Sequence, residues 1–196
     1  MNETALTQTD RDCLLELARR SISLAANGEP LPPLRLEDLP PNILREGASF
    51  VTLTVDGELR GCVGAIEPYQ SLAEDVYEHA EAAAMHDYRF PPLQPGEVAD
   101  ICIEISYLTP PLPLEYTSPK DLISRLRPGV DGVMIRDGGH RATFLPQVWE
   151  KVPDPAAFLD HLCQKMGAPA AYWRSKHLQV STYQVECFEE ESRSPD

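Results

Sequence analysis

The sequence predicts an α+β fold with a mixed or antiparallel sheet and packed helices, rather than alternating βαβ units. Two strand-rich runs flank Asp56-Gly57, a dipeptide that favours the tight type I′ turn of a β-hairpin. A second hairpin is predicted over residues 131–145, around an Asp-Gly-Gly turn. Helical runs separate the two hairpins. The strands within each hairpin are expected to pair antiparallel, which favours an α+β fold over alternating βαβ units. We expect both hairpins to belong to one α+β unit.

The first predicted helix covers residues 9–26, where apolar residues recur at intervals of three and four. A proline-rich segment follows, and we expect it to lie as a stiff, extended strap over the fold. Ser71 is predicted to cap a second helix, which packs on the sheet through Leu72, Val76 and Ala80.

That second helix also carries several acids and a histidine. Asp75 and His79 are both expected on its solvent-facing side.

The remaining elements follow from alternation and caps. Residues 99–108 alternate isoleucine with polar residues, as in a strand with one buried face. Ser118-Pro119 and Asp154-Pro155 each begin a predicted helix. The VSTYQVECF run at 180–188 is predicted to be a single last strand.

The composition describes an ordinary globular chain of 196 residues with 17 basic and 31 acidic side chains, a net charge of −14. This charge disfavours nucleic-acid binding and adhesion to an anionic membrane. No secretion signal or membrane span is visible, and the five cysteines show no paired spacing. We therefore expect a cytoplasmic protein with reduced thiols. No ligand cluster or nucleotide-binding motif predicts a metal or cofactor.

The LRGCVG segment carries the main chemical signal. On a regular strand, Arg60 and Cys62 point to one face, where a guanidinium favours the thiolate. Gly61 and Gly64 remove side chains, which lets a ligand or another backbone come close. Cys62 is therefore either a reactive, ligand-contacting thiol or a buried structural residue.

A nucleophilic thiol usually needs a base, and His86 is the best placed of the five histidines. Glu104 lies mid-strand among isoleucines, either as an acid–base group or on the solvent side of a half-exposed sheet. Arg60, Arg89 and Arg141 are candidates for binding an anionic ligand, because arginine binds carboxylate and phosphate bidentately. The alternative is that each arginine pairs with one of the many acids.

Four blocks occur in order: LRGCVG, RFPPL, EISYLTPP and ATFLPQVWE. Together they resemble the AMMECR domain family, whose bacterial and archaeal members are called AmmeMemoRadiSam system protein A. The resemblance covers nearly the whole chain and implies a single domain over residues 8–190. It implies a larger and a smaller lobe with a cleft that the LRGCVG strand helps to line. Residues 1–7 and 191–196 are then expected to be flexible termini.

The resemblance implies roles for particular residues of this chain. LPQVWE places Gln147 among the candidate substrate contacts, and Tyr88 stands where the family usually has proline. The resemblance also implies partner proteins, since genes for such proteins often adjoin those for Memo-type and radical-SAM proteins. No reaction is implied by the resemblance.

Two hypotheses remain open at this stage. In one, the chain is an enzyme or enzyme component that acts on a small anionic substrate, with Cys62 as nucleophile and His86 or Glu104 as acid–base groups. In the other, it is a non-catalytic adaptor that docks onto Memo-like and radical-SAM partners. A reactive thiol favours the first hypothesis, and an exposed apolar patch away from the LRGCVG cleft favours the second.

Overall fold

The computed structural model describes residues 5–190 of the chain. Residues 1–4 of the predicted flexible N-terminus and the whole predicted flexible C-terminus, residues 191–196, lie outside the described range. Within that range, no helix combines the length and the apolar character needed to cross a bilayer. The helices are α1 (Gln8–Ala26), α2 (Leu72–Met85), α3 (Pro119–Arg125), α4 (Pro155–Lys165) and α5 (Tyr172–Ser175). The strands are β1 (Ala48–Val55), β2 (Glu58–Gly64), β3 (Ile101–Leu108), β4 (Leu112–Pro113), β5 (Gly132–Asp137), β6 (His140–Phe144), β7 (Gln179–Tyr183) and β8 (Val185–Glu189).

The strands form two four-stranded sheets, in the orders β2-β1-β3-β8 and β4-β7-β5-β6. The pairings β1–β2, β1–β3, β5–β6, β5–β7 and β4–β7 are antiparallel, which confirms the predicted α+β class. The expectation that both hairpins share one unit is wrong. The β1–β2 hairpin belongs to a unit that ends at Leu108 and resumes at Glu186, whereas β5–β6 belongs to a unit spanning Thr109–Val185. Alternation and turn residues specify each hairpin locally, but they do not specify which sheet it joins.

The first unit places α1 and α2 against its sheet. As predicted, Leu72, Val76 and Ala80 of α2 are buried in a core that also contains Val51 and Leu53 of β1. The predicted hairpin turn is also confirmed, because its two central residues, Asp56 and Gly57, have φ values of 52° and 80°.

The β1–β2 ladder contains an irregularity at Arg60. Leu53 of β1 pairs with Gly61, but the next residue along β1, Thr54, pairs with Leu59. Arg60 is therefore the extra residue of a β-bulge, and the strict alternation assumed for this strand is interrupted there.

Gly61 lies directly beneath the last turns of α2. A Cβ atom at Gly61 would be 2.2 Å from the carbonyl oxygen of Ala83. The absence of a side chain at this position therefore allows α2 to approach the edge strand β2 closely.

The expected solvent exposure of Asp75 and His79 is wrong. The Asp75 side chain is completely buried, and the hydroxyl of Ser49 donates a hydrogen bond to its Oδ2 atom over 2.6 Å. Nδ1 of His79, a buried residue, lies 3.2 Å from the same oxygen. These polar residues occupy the interface between α2 and β1. Ser49 satisfies one oxygen of Asp75, whereas Oδ1 of Asp75 and Nδ1 of His79 have no hydrogen-bond partner among the described residues.

The second unit has its own core between its sheet and α4. Trp149 stacks on Phe158 with ring centroids 3.7 Å apart, and its indole N–H donates to the carbonyl of Asp131. The segment after β3 is rich in proline, a residue that cannot donate a main-chain hydrogen bond. It nevertheless supplies the two-residue strand β4, which pairs with β7.

The predicted single last strand is two strands. β7 ends at Tyr183 and β8 begins at Val185, and they join different sheets. A single run rich in strand-forming residues covers both strands, so the local sequence carries no sign of the change of sheet.

We predict that Gly61→Ala lowers the free energy of unfolding by about 1–3 kcal/mol, because the new methyl group overlaps a main-chain oxygen that cannot rotate away. Urea unfolding measures this change. Gly96→Ala is the matched control, since a Cβ atom at Gly96 meets nothing within 4 Å. Equal effects of the two substitutions would contradict the close approach of α2 to β2.

Candidate functional site

Cys62 lies on β2, an edge strand of the first sheet, with a half-buried side chain. It pairs across the ladder with Thr52 of β1. The Thr52 hydroxyl donates a hydrogen bond to the Cys62 sulfur over 3.3 Å.

The main chain of Cys62 is held from outside the sheet. Its N–H group donates to Oδ2 of Asp87 over 2.9 Å, and its carbonyl accepts from Nη2 of Arg89 over 3.2 Å. Two side chains thus occupy both main-chain hydrogen-bonding groups that this edge residue would otherwise present to water.

Asp87 and Arg89 form a bidentate ion pair. Nη2 of Arg89 lies 2.6 Å from Oδ2 of Asp87, and Nε donates to Oδ1 over 2.9 Å. The hydrogen bonds from Arg89 lower the pKa of the Asp87 carboxyl well below its usual range, against an opposing effect of desolvation. The same pairing raises the pKa of Arg89. Both groups are therefore charged at neutral pH.

The sequence analysis missed Asp87. This residue directly follows His86, the C-cap of α2, where a negative charge is unfavourable to the helix dipole. An acid at that position signals that a cation lies nearby, and Arg89 stands only two residues further on. That signal was available in the sequence, whereas the contact with Cys62 was not.

Arg60 already binds a carboxylate. Its guanidinium donates to both oxygens of Glu97, over 3.0 and 3.2 Å, and to the carbonyl of Pro91 over 3.0 Å. The Arg60 side chain is only 14% exposed, and its hydrogen bonds lower the pKa of Glu97. Glu97 is thus a structural partner of Arg60 within the described residues. The role of Arg60 in anion binding stays a prediction.

Arg89 keeps part of its guanidinium available. Its side chain is 43% exposed. Within residues 5–190, its Nε and Nη2 atoms make hydrogen bonds while its Nη1 atom makes none. Arg89 can therefore offer further N–H donors to an anion beside Cys62.

Glu104 shares a row of the sheet with the thiol. Thr52 pairs with Cys62 on one side and with Glu104 of β3 on the other. Paired residues project to the same face, so all three side chains lie on one face, opposite the buried isoleucines of β3. Two strand spacings, about 10 Å, separate the Cα atoms of Cys62 and Glu104. Glu104 is suited to contact a ligand lying across Thr52 rather than the thiol itself.

His86 is an exposed residue whose Nε2 atom lies 3.8 Å from a carboxylate oxygen of Glu81. Among the described residues, no hydrogen bond joins it to Cys62. Its role as a base stays a prediction.

The two glycines of the motif have packing explanations. The missing side chain of Gly61 accommodates α2, and a Cβ atom at Gly64 would be 2.3 Å from the carbonyl of Ser49. Of the two possibilities raised by the sequence, the structure shows the close approach of another backbone. Contact between these glycines and a ligand stays a prediction.

Arg141 and Gln147 belong to the second unit. Arg141 lies on β6, directly opposite Arg136 of β5, and Gln147 lies in a 3-10 turn at Pro146–Glu150. Their substrate-binding roles stay predictions.

The other thiols differ from Cys62 in their surroundings. Burial raises the pKa of Cys13, Cys102 and Cys163. Cys187 is exposed and its sulfur lies 3.4 Å from the Ser106 hydroxyl. Over residues 5–190, no three His, Cys, Asp or Glu side chains converge as metal ligands would.

Comparison with known proteins identifies relatives along almost the whole chain. A sequence profile of the AMMECR1 family matches residues 15–188. A protein of Methanothermobacter thermautotrophicus is 39% identical over 193 residues, covering 97% of this chain and 100% of that protein. One of Thermofilum pendens is 37% identical over 93% of this chain and 91% of its own length. The crystal structure of the uncharacterized protein PH0010 from Pyrococcus horikoshii superimposes with a TM-score of 0.70 at 33% identity, covering 93% and 92% of the two chains.

We predict that the contribution of Asp87 to stability depends on pH. Because the pKa of its carboxyl is lower in the folded chain than its ordinary 3.8, this contribution is complete above that pH and is lost as the pH falls below it. Asp87→Asn should therefore cost about 1–3 kcal/mol of unfolding free energy at pH 7 and progressively less below pH ~4. Urea unfolding at a series of pH values measures the difference.

The control is Asp38→Asn, which alters an exposed pair with Arg35. It should change the unfolding free energy by less than about 0.5 kcal/mol at every pH. A difference between wild type and Asp87→Asn that stays constant from pH 7 to pH 2 would contradict the ion pair.

Proposed function

We propose that this chain, which belongs to the AMMECR1 family, acts on a small anionic substrate through the thiol of Cys62, as an enzyme or as a component of one. The observation that carries this proposal is the setting of the thiol. Cys62 accepts the Thr52 hydroxyl hydrogen bond, while Asp87 and Arg89 hold its main chain on an otherwise open edge. A nucleophile is most effective when its supporting groups are already in place.

The anionic class of substrate follows from Arg89. Its half-exposed guanidinium has N–H donors left over after pairing with Asp87, and it reaches the carbonyl of Cys62. A carboxylate or phosphate bound there would lie next to the thiol. The surrounding charge of the chain is strongly negative, so a local cation is the feature that would attract such a ligand.

The chemical step is attack of the thiolate on an electrophilic carbon of the substrate. A sulfur–carbon bond forms, and the bond to the leaving group breaks with its electron pair going to that group. The thiol proton passes to solvent before attack. Glu104, further along the same face, can accept or donate a proton on the part of the substrate beyond Thr52.

A matched pair of alkylating reagents tests the thiol and the anion preference together. Iodoacetamide is neutral and iodoacetate is anionic, and both transfer a small group to sulfur with loss of iodide. We predict that Cys62 is alkylated before Cys13, Cys102 and Cys163, because desolvation raises the pKa of those three thiols; labelling is read by peptide mass from pH 6 to pH 9. Cys187→Ser removes the exposed thiol as a competing site.

Arg89→Gln serves as the test of the anion contact. It should reduce the ratio of iodoacetate to iodoacetamide rates at Cys62 several-fold, because only the anionic reagent is attracted by the guanidinium. Arg20→Gln, an exposed charge on α1, should leave the ratio unchanged. Labelling of Cys62 only on unfolding would refute the nucleophile, and an unchanged ratio in Arg89→Gln would refute the anion site.

A second candidate function is the adaptor for Memo-like and radical-SAM proteins, and Tyr88 favours it. This ring is 96% exposed although the residues on both sides of it contact Cys62. Leu59 on β2 is also 42% exposed. A large apolar side chain held out from an anchored segment is suited to insertion into a partner's pocket. Loss of binding to a purified partner in Tyr88→Ser, with unchanged alkylation of Cys62, would favour the adaptor.

A further inference from the structure

Asp87 contacts the same residue as Arg89 and carries the opposite charge. We propose that Asp87 is a positioning residue that sets the reactivity of Cys62, by fixing its main chain and by offsetting the charge of Arg89. This inference rests on the proposed use of Cys62 as a nucleophile. It adds a residue that neither the motif nor the comparisons point to.

Asp87 restrains the main chain of Cys62. Cys62 lies on an edge strand, so only one neighbouring strand restrains it, and the ladder is irregular two residues away at Arg60. The 2.9 Å hydrogen bond from the Cys62 N–H to Asp87 supplies the missing restraint on the outer side. The Asp87 side chain is 4% exposed, so water does not compete for this bond. With its main chain held, the sulfur stays within reach of the Thr52 hydroxyl.

The opposite charges of Asp87 and Arg89 also lie close to Cys62. The guanidinium of Arg89 donates to the carbonyl of Cys62, and the carboxylate of Asp87 accepts from the N–H of the same residue. Arg89 alone would stabilise the thiolate, and Asp87 alone would destabilise it. Because the two groups are paired at 2.6 Å, their effects on the sulfur oppose one another. The electrostatic effects of Asp87 and Arg89 on the thiolate therefore partly cancel, and removing either charge leaves the other unopposed.

This balance makes a prediction that a packing role does not make. Asp87→Asn leaves the Arg89 charge unopposed, so the thiol should titrate at lower pH. Arg89→Met leaves the Asp87 charge unopposed, so the thiol should titrate at higher pH. Loss of packing alone would move both variants in the same direction, because both open the same edge of the sheet.

The experiment is an NMR titration of the full chain labelled with ¹³C at the cysteine Cβ atoms, with the Cys62 signal assigned from Cys62→Ser. We expect Asp87→Asn to shift the titration midpoint down by about one pH unit and Arg89→Met to shift it up by about one unit. The double variant should lie between them, and Arg89→Lys, which keeps the charge, should lie near wild type. Asp38→Asn, an exposed acid paired with Arg35, should have no effect.

The readout separates this inference from the proposed function. The titration reports on Cys62 whether or not the thiol attacks a substrate, so a thiol that resists alkylation would refute the proposed function without affecting the titration result. Shifts in the same direction, or no shift, in the two single variants would refute the role of Asp87. If Asp87→Asn does not fold, the double variant is compared with Arg89→Met, because both lack the Arg89 charge and they differ only at Asp87: a lower titration midpoint in the double variant supports the inference, and equal midpoints overturn it.

Discussion

The close approach of α2 to β2 at Gly61 is the constraint on which the candidate site depends. The carbonyl of Ala83 occupies the space that a side chain at Gly61 would fill. α2 ends only two residues later, at Met85, so its C-terminal end lies at the edge of the sheet. The chain that leaves the helix is then in position to place Asp87 and Arg89 against Cys62.

The segment after α2 serves as a substitute for a missing neighbouring strand. β2 is an edge strand, and an open edge exposes main-chain groups to pairing with other chains. Here the outer side of β2 is covered by side chains, through Asp87 and Arg89 at Cys62 and through Glu97 at Arg60. The two motifs LRGCVG and RFPPL therefore hold one another, with Arg60 donating to the main chain of Pro91.

This arrangement changes how the arginines of the two motifs are interpreted. A guanidinium with every nitrogen bonded to protein, as in Arg60, contributes mainly to the structure of the edge. Arg89 divides its donors between Asp87, the carbonyl of Cys62 and solvent, so it is the arginine with capacity for an anion. The chemistry proposed for this chain therefore centres on one thiol, one hydroxyl and one half-exposed guanidinium rather than on a general cluster of positive charge.

Local features of the fold followed from the sequence, because their causes act over a few residues. Asp56-Gly57 adopts the positive φ values of its turn, and Ser71 caps α2 through a box completed by Glu74. The α+β class follows from the same local signals, as do the bounds of most helices and strands. Cys62 was also recognisable as a candidate, since it is a thiol between two glycines in a strand.

Tertiary structure alone decided what these elements contact. Asp75 and His79 resemble solvent-facing residues on the helix, and only the packing of α2 against β1, where Ser49 donates to Asp75, buries them. The division of the last predicted strand between two sheets is likewise invisible in the sequence, where one run rich in strand-forming residues covers both strands. The partners of Cys62 are 10 and 25 residues away in the chain, at Thr52 and Asp87. Periodicity and capping describe a residue's own element, whereas such contacts depend on which elements pack together, and that is determined by the fold as a whole.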